Sequence, residues 1–315
     1  QTQYAPYQIL PVCGKYQDWL LPNPAEYYCC LFRAMGRLAA WDKLGRYDEF
    51  FGVAPTWGED EYIRHMQASK KPISAKTLES QRRAVAGVID CGLDYMRTVV
   101  PTMVPPALLE EGVLERVKGE LLEMCPFFSA MSGQYQLNSP DYVAAMHANL
   151  QADNAFFWRD EYDELDCGVL DWGGFSRVPF CMSFLGCLSG ADPEVLAAHE
   201  EGIIRCFRDE YRRCGGPYLE MDELLTRYHL GYITFVYESA TWVERDIYKQ
   251  ATREEIGSWS GVFDPRFQAA FRVRCRTMTI INAYALYHMR GGHFKAMFER
   301  WYKGSGARYL PEIIE

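Results

Sequence analysis

Apolar residues recur along most of this chain three and four positions apart, the spacing of a helix with one buried face. The first such stripe is Leu31, Met35, Leu38 and Trp41. Just ahead of it, Asn23-Pro24-Ala25-Glu26 has the makings of a helix start, with Asn as cap, Pro in the first turn and Glu placed to close a capping box. Residues 45–75 mix Gly, Pro and charge and read as loops with short helices. Val85, Val88, Ile89 and Met96 predict a second helix, and Leu109, Val113, Leu114, Val117 and Leu121 a third, with the Pro-rich segment 101–106 between them. Later, Asp192-Pro193 opens a helix carrying Val195, Leu196, Ile203, Phe207 and Tyr211 up to Gly215-Gly216-Pro217. Another runs from Asp222 through Leu225, His229, Tyr232 and Val236. The last follows Asp264-Pro265, with Phe267, Phe271, Cys275, Met278 and Leu286 on one side, and stops at Gly291-Gly292.

The middle of the chain breaks this rhythm. Ala155-Phe156-Phe157-Trp158 and Gly168-Val169-Leu170 are short apolar runs on either side of a charged turn, Arg159 to Asp166, which predicts a β-hairpin. It is the one strand pair the pattern supports, and its charged run 159–164 is expected to be a solvated tip. No repeat or low-complexity linker interrupts the chain. The expected fold is therefore mainly α, a single domain of packed helices with one short hairpin.

Composition narrows the functions this fold could serve. Of 315 residues, 49% are hydrophobic and 15% aromatic, which predicts a packed protein. The apolar stretches are cut early, as where Val99 and Val100 run into Pro101, so no transmembrane segment is expected. A net charge of −9 with scattered basic residues argues against nucleic acid as a partner. The eleven Cys show no framework spacing and no C-x-x-C pair, which predicts free thiols in a reducing, intracellular compartment, the cytoplasm or an organelle interior. No zinc-type ligand spacing occurs. The chain opens on Gln1 without a basic segment ahead of an apolar one, so the expectation is either a removed leader or a piece of a longer polypeptide.

The chemistry concentrates in His147-Ala148-Asn149-Leu150-Gln151-Ala152-Asp153-Asn154 and, across the hairpin, Leu170-Asp171-Trp172-Gly173. Asn154 opens the first strand and Asp171 follows the second, so antiparallel pairing would bring two oxygen donors together, as a shared metal ion needs. The stretch resembles the H-G-D-x-x-x-x-N … I-D-[FW] pattern of the aminoglycoside phosphotransferase, choline kinase and ecdysteroid-kinase-like families. On that resemblance His147 corresponds to the motif His, a structural residue, Asn149 to the catalytic base, and Asn154 and Asp171 to the Mg²⁺ ligands. Phe32-Arg33-Ala34-Met35-Gly36-Arg37-Leu38-Ala39-Ala40-Trp41 is similar to the family's first C-lobe helix. The resemblance implies a kinase-like C-lobe over residues 21–315, with 1–20 as an extension.

The departures bear on function. Ala148 stands for the motif Gly, Ala39 for a helix His, and Cys181 and Met182 occupy the region of a downstream Asp. Asn149 carries an amide, which cannot accept a proton as a general base. Only Lys15 and no Gly-rich loop precede the first helix, and so short a segment cannot form the β-rich N-lobe that covers ATP. The expected function is a degenerate, non-catalytic domain acting as a binding or structural subunit of a larger assembly. It would carry no cofactor, and a protein partner would cover the missing N-lobe face. The alternative is an active phosphotransferase acting on an alcohol group with Mg-ATP, its N-lobe lying outside this sequence. An unrelated helical protein with an accidental motif is the third possibility.

Overall fold

The computed structural model describes residues 8–11, 14–53, 58–69, 72–310 and 313–314. In chain order, strand β1 (Ile9–Leu10) precedes helices α1 (Pro24–Lys43), α2 (Asp48–Phe51) and α3 (Glu59–Ser69), strand β2 (Ile73–Ser74) and helix α4 (Ala75–Asp94). Helices α5 (Pro106–Leu109), α6 (Val113–Met124) and α7 (Tyr135–Leu137) follow, then strands β3 (Val143–His147), β4 (Ala155–Arg159), β5 (Leu165–Val169) and β6 (Phe175–Pro179). Helices α8 (Phe180–Leu188), α9 (Pro193–Arg213), α10 (Met221–Ala240), α11 (Arg253–Gly257), α12 (Pro265–Ala269), α13 (Phe271–Met289) and α14 (His293–Gly304) lead to strand β7 (Ile313–Ile314). The protein is mainly helical, and none of its described helices is long and apolar enough to cross a membrane.

Two compact units emerge, one from segments 1–59 and 136–228, the other from 60–135 and 229–315. The first is organised by α1 and α9, which lie side by side in the same direction: Gly36 packs against Phe207 and Tyr211, and Leu44 against Gly215. A Cβ on Gly36 would come within 2.8 Å of the Phe207 carbonyl oxygen, so only glycine permits this approach. The predicted α1 stripe is buried at Leu31, Met35 and Leu38, and Phe180, Phe184, Phe207 and Tyr211 fill the space beside it with ring centroids 4.8–6.4 Å apart. The capping box at the start of α1 does not form. Asn23 makes no side-chain cap bond, the Glu26 N–H going to the Asn23 backbone carbonyl at 3.0 Å, and the Glu26 carboxylate is taken by both Nη atoms of Arg159, at 2.8 and 3.0 Å.

The predicted hairpin is present, with β4 and β5 antiparallel from Ala155 opposite Val169 to Arg159 opposite Leu165. It is not the only strand pair. β1 adds to the free edge of β4, with Ile9 opposite Trp158 and Leu10 opposite Phe157, so residues from the segment ahead of residue 21 belong to the first unit. β3 pairs antiparallel with β6, from Val143 opposite Pro179 to His147 opposite Phe175. Val143-Ala144-Ala145-Met146 shows no alternation because it is buried almost throughout, and Ala and Met favour helices, so pattern alone missed it.

The second unit has its own core. α4 runs into a wider turn, Tyr95–Val99, that buries Tyr95, Met96 and Val99, and the Tyr95 hydroxyl meets Thr277 Oγ1 at 2.6 Å. α6 buries Leu114, Val117, Leu121 and Met124. β2 and β7 pair in parallel. The helix predicted beyond Asp264 is divided at Ala270 (φ −78°, ψ 68°) into α12 and α13, and Arg274 Nη1 donates to the Gln268 carbonyl near the break. The division turns Phe271 out to half exposure, and the buried face of α13 begins at Val273 instead.

Candidate functional site

The two strand pairs of the first unit meet at the segment singled out by the sequence. β3 delivers His147 at its end, the loop 148–154 turns back into β4, and β5 returns to Leu170 and Asp171 before β6 runs alongside β3. Leu170 N–H donates to the Asn154 carbonyl at 2.8 Å, so the hairpin closes directly beside the loop that opened it.

His147 is the buried pin of this arrangement. Its Nδ1 accepts from the Asn149 backbone N–H at 3.2 Å, which leaves Nε2 as the protonated nitrogen. Nε2 then donates to the carbonyls of Leu170 and Asp171, at 3.0 and 2.7 Å. One imidazole thereby ties the start of the loop to the end of the hairpin. Asn154, also buried, donates from Nδ2 to the Asn149 carbonyl at 2.7 Å, and Gln151 N–H donates to the same oxygen at 3.0 Å. With its N–H spent on the loop, the Asn154 amide has its Oδ1 as the atom to offer a cation.

Asp171 adopts a left-handed backbone (φ 54°, ψ 58°), uncommon for a residue with a side chain. The His147 bond to its carbonyl helps hold that conformation. The Asp171 side chain is exposed, as is Asn149. Sequence reasoning therefore placed His147, Asn149, Asn154 and Asp171 in one neighbourhood, and the structure brings them together through these backbone and side-chain bonds. Two hard oxygen donors, one of them charged, suit Mg²⁺ when phosphate oxygens complete the shell. Asn149 offers no group that can take up a proton.

Several supporting residues had no sequence motif. Gly186 of α8 lies so close to the loop that a Cβ there would fall 2.0 Å from the Ala148 carbonyl oxygen. Asp42, fully buried near the end of α1, accepts from the Ala145 N–H at 3.0 Å and from Arg177 Nε at 3.0 Å, bracing β3 and β6 together. Arg177 also reaches Asp48 at 3.1 Å. Lys15 pairs with Asp153 at 3.5 Å, beside Asn154. Trp172 is half exposed, its ring 6.0 Å from His147 and 5.3 Å from Phe175, which in turn lies 5.7 Å from Phe51. The expected solvated tip holds for 161–164, whereas Asp160 is part-buried and Arg159 is tied to Glu26.

Comparison of the chain with protein-family models, with curated proteins and with solved structures finds no match. The described cysteines are free thiols. Among the described residues one group of metal-ligating atoms gathers, Cys30, Asp166 and Cys167, within 4.8 Å of one another. The ligands are far apart in sequence, so no spacing rule reveals them. Arg37 holds the Asp166 carboxylate at 2.8 Å, and this cation opposes a metal ion there.

Proposed function

We propose that residues 147–171 are the core of a phosphotransferase-like C-lobe that no longer transfers phosphate, and that the protein works as a binding or structural subunit. The observation that carries this reading is the His147 clamp. It fixes a loop in which Asn149 occupies the position of the proton acceptor, while Asn154 and Asp171 remain at the mouth of the same hairpin. Phosphoryl transfer depends mainly on positioning and electrostatics, with a carboxylate orienting the attacking hydroxyl. Here the positioning elements persist and the carboxylate is replaced by an amide. In the alternative reading, an active phosphotransferase, Asn154 and Asp171 would hold Mg²⁺, which in such enzymes neutralises charge on the transferred phosphate. Beside them, the exposed apolar residues Leu170 and Trp172, with the Phe175–Phe51 ring contact, offer a surface suited to a partner protein.

The test is thermal denaturation with Mg²⁺ and ATP. A ligand present at 100 times its Kd stabilises by about 2.7 kcal/mol, which moves Tm by several degrees. The proposed reading expects a Tm unchanged to within about one degree. A rise of several degrees that disappears in Asp171→Ala would overturn it in favour of an active nucleotide site.

A further inference from the structure

Tyr27, Cys30, Arg33 and Arg37 are spaced three and four apart, so they share the face of α1 that lies along the β4–β5 hairpin. Tyr27 meets Phe157 edge-on with ring centroids 4.8 Å apart, Arg33 Nη2 donates to the Leu165 carbonyl at 2.9 Å, and Arg37 Nη2 reaches the Asp166 carboxylate at 2.8 Å. Cys30 falls among them and meets Asp166 and Cys167 of β5, the ligating atoms of all three lying within 4.8 Å of one another. Neighbours on a strand ordinarily point to opposite faces. The Asp166 carboxylate folds back instead, because its Oδ1 accepts from the Cys167 N–H at 2.9 Å as well as from Arg37. Oδ2 is the oxygen left for an ion.

We propose that Cys30, Cys167 and Asp166 form a zinc site that ties α1 to β5, with water as the fourth ligand. Two buried sulfurs and a carboxylate oxygen are a soft donor set, which suits Zn²⁺ and not Mg²⁺ or Ca²⁺. Tetrahedral zinc with Zn–S bonds of about 2.3 Å sets its two sulfurs about 3.8 Å apart. Ligand atoms already held within 4.8 Å need to draw in by no more than about 1 Å. Arg37 opposes an ion here while both thiols keep their protons. Binding changes that balance: two S–H bonds break, two Zn–S bonds form and both protons leave to solvent. Two thiolates and one carboxylate are then cancelled by Zn²⁺ and Arg37 together. The guanidinium becomes an outer partner that orients the Asp166 carboxylate, itself steadied by Glu210 at 3.4 Å. The half-exposed Asp166 side chain marks the entry path, since Cys30 is fully buried and Cys167 nearly so.

Titration of the full chain, reduced and metal-free, with Co²⁺ and then Zn²⁺ tests this. Co²⁺ bound by thiolates absorbs in the near ultraviolet through sulfur-to-metal charge transfer. The expected band saturates at one Co²⁺ per chain and is bleached by an equivalent of Zn²⁺ but not by excess Mg²⁺. Cys30→Ser and Cys167→Ser should each abolish it, whereas Cys29→Ser should leave it intact. Asp166→Asn, a change at a half-exposed side chain, should keep the band but weaken Co²⁺ and Zn²⁺ binding by about tenfold or more. Absence of the band from the unmodified chain overturns the proposal, and that result depends on no variant's folding. A band that survives in Cys30→Ser, or an affinity unchanged in Asp166→Asn, overturns it as well.

Discussion

Asp18 is a buried carboxyl that accepts a hydrogen bond from the Tyr28 hydroxyl, at 2.5 Å. Burial raises its pKa from 3.8 to about 6, against that hydrogen bond, and the carboxylates of Asp153 and Asp192 add to the rise. Between those two values the folded protein keeps a proton that the unfolded chain releases. Stability from this group is therefore present below pH 4 and lost as pH climbs through 6, by on the order of 2–3 kcal/mol. Asp18→Asn should remove this slope, so urea denaturation should show the variant gaining on the parent as pH rises from about 4 to about 7. His147 makes the opposite kind of contribution, through bonds instead of charge. His147→Ala deletes one acceptor and one donor shared by two carbonyls, and should cost about 2–4 kcal/mol. Hydrogen exchange should localise the damage, with the amides of Asn149 and of residues 171–173 losing protection first.

Among elements, the site depends on how closely α8 approaches the 148–154 loop and on the brace between α1 and the β3–β6 pair. Gly186→Ala places a methyl group inside the Ala148 carbonyl, so helix or loop must shift, with a stability loss of about 2 kcal/mol or more in chemical denaturation. Asp42→Ala leaves the buried Ala145 N–H without its acceptor and takes one of two carboxylates from Arg177, which keeps Asp48, a loss of about 2–3 kcal/mol. Removing both charges, as Asp42→Ala with Arg177→Met, should cost less than the sum of the single changes.

This contrast explains what could be read in advance. The stripes of α1, α4, α6 and α9 were legible because each helix buries one continuous face. The β4–β5 hairpin was legible because bulky residues flank a charged turn, and His147, Asn149, Asn154 and Asp171 because they fall in one short motif. β3 was not, since a strand buried on both faces loses its alternation, and β6 was not, since its residues are mostly part-exposed and it runs into Pro179. Gly186 and Asp42 were not either: each acts on a segment tens of residues away, and no local spacing records that contact. The cap of α1 was misread for the same reason, because Glu26 answers to Arg159 on a distant strand.

At the scale of the whole molecule, α10 is one continuous helix whose first residues, Met221–Tyr228, belong to the first unit and whose remainder belongs to the second. A proline in its buried stretch should therefore be costly. Leu230→Pro removes a helical hydrogen bond and is expected to cost about 3 kcal/mol or more, lowering the unfolding midpoint seen by circular dichroism. Survival of the parent midpoint would show that the helix is dispensable to the fold.

The packing of α1 on α9 has a consequence during synthesis. Nearly 150 residues separate the end of α1 from the start of α9. At about 5–20 residues per second a ribosome needs roughly 8–30 seconds to deliver the partner. Through that interval Leu31, Phe32 and Met35 face solvent or a chaperone, and the whole segment 60–135 emerges before the first core can close. A folding aid would therefore act earliest at α1, the first long helix made.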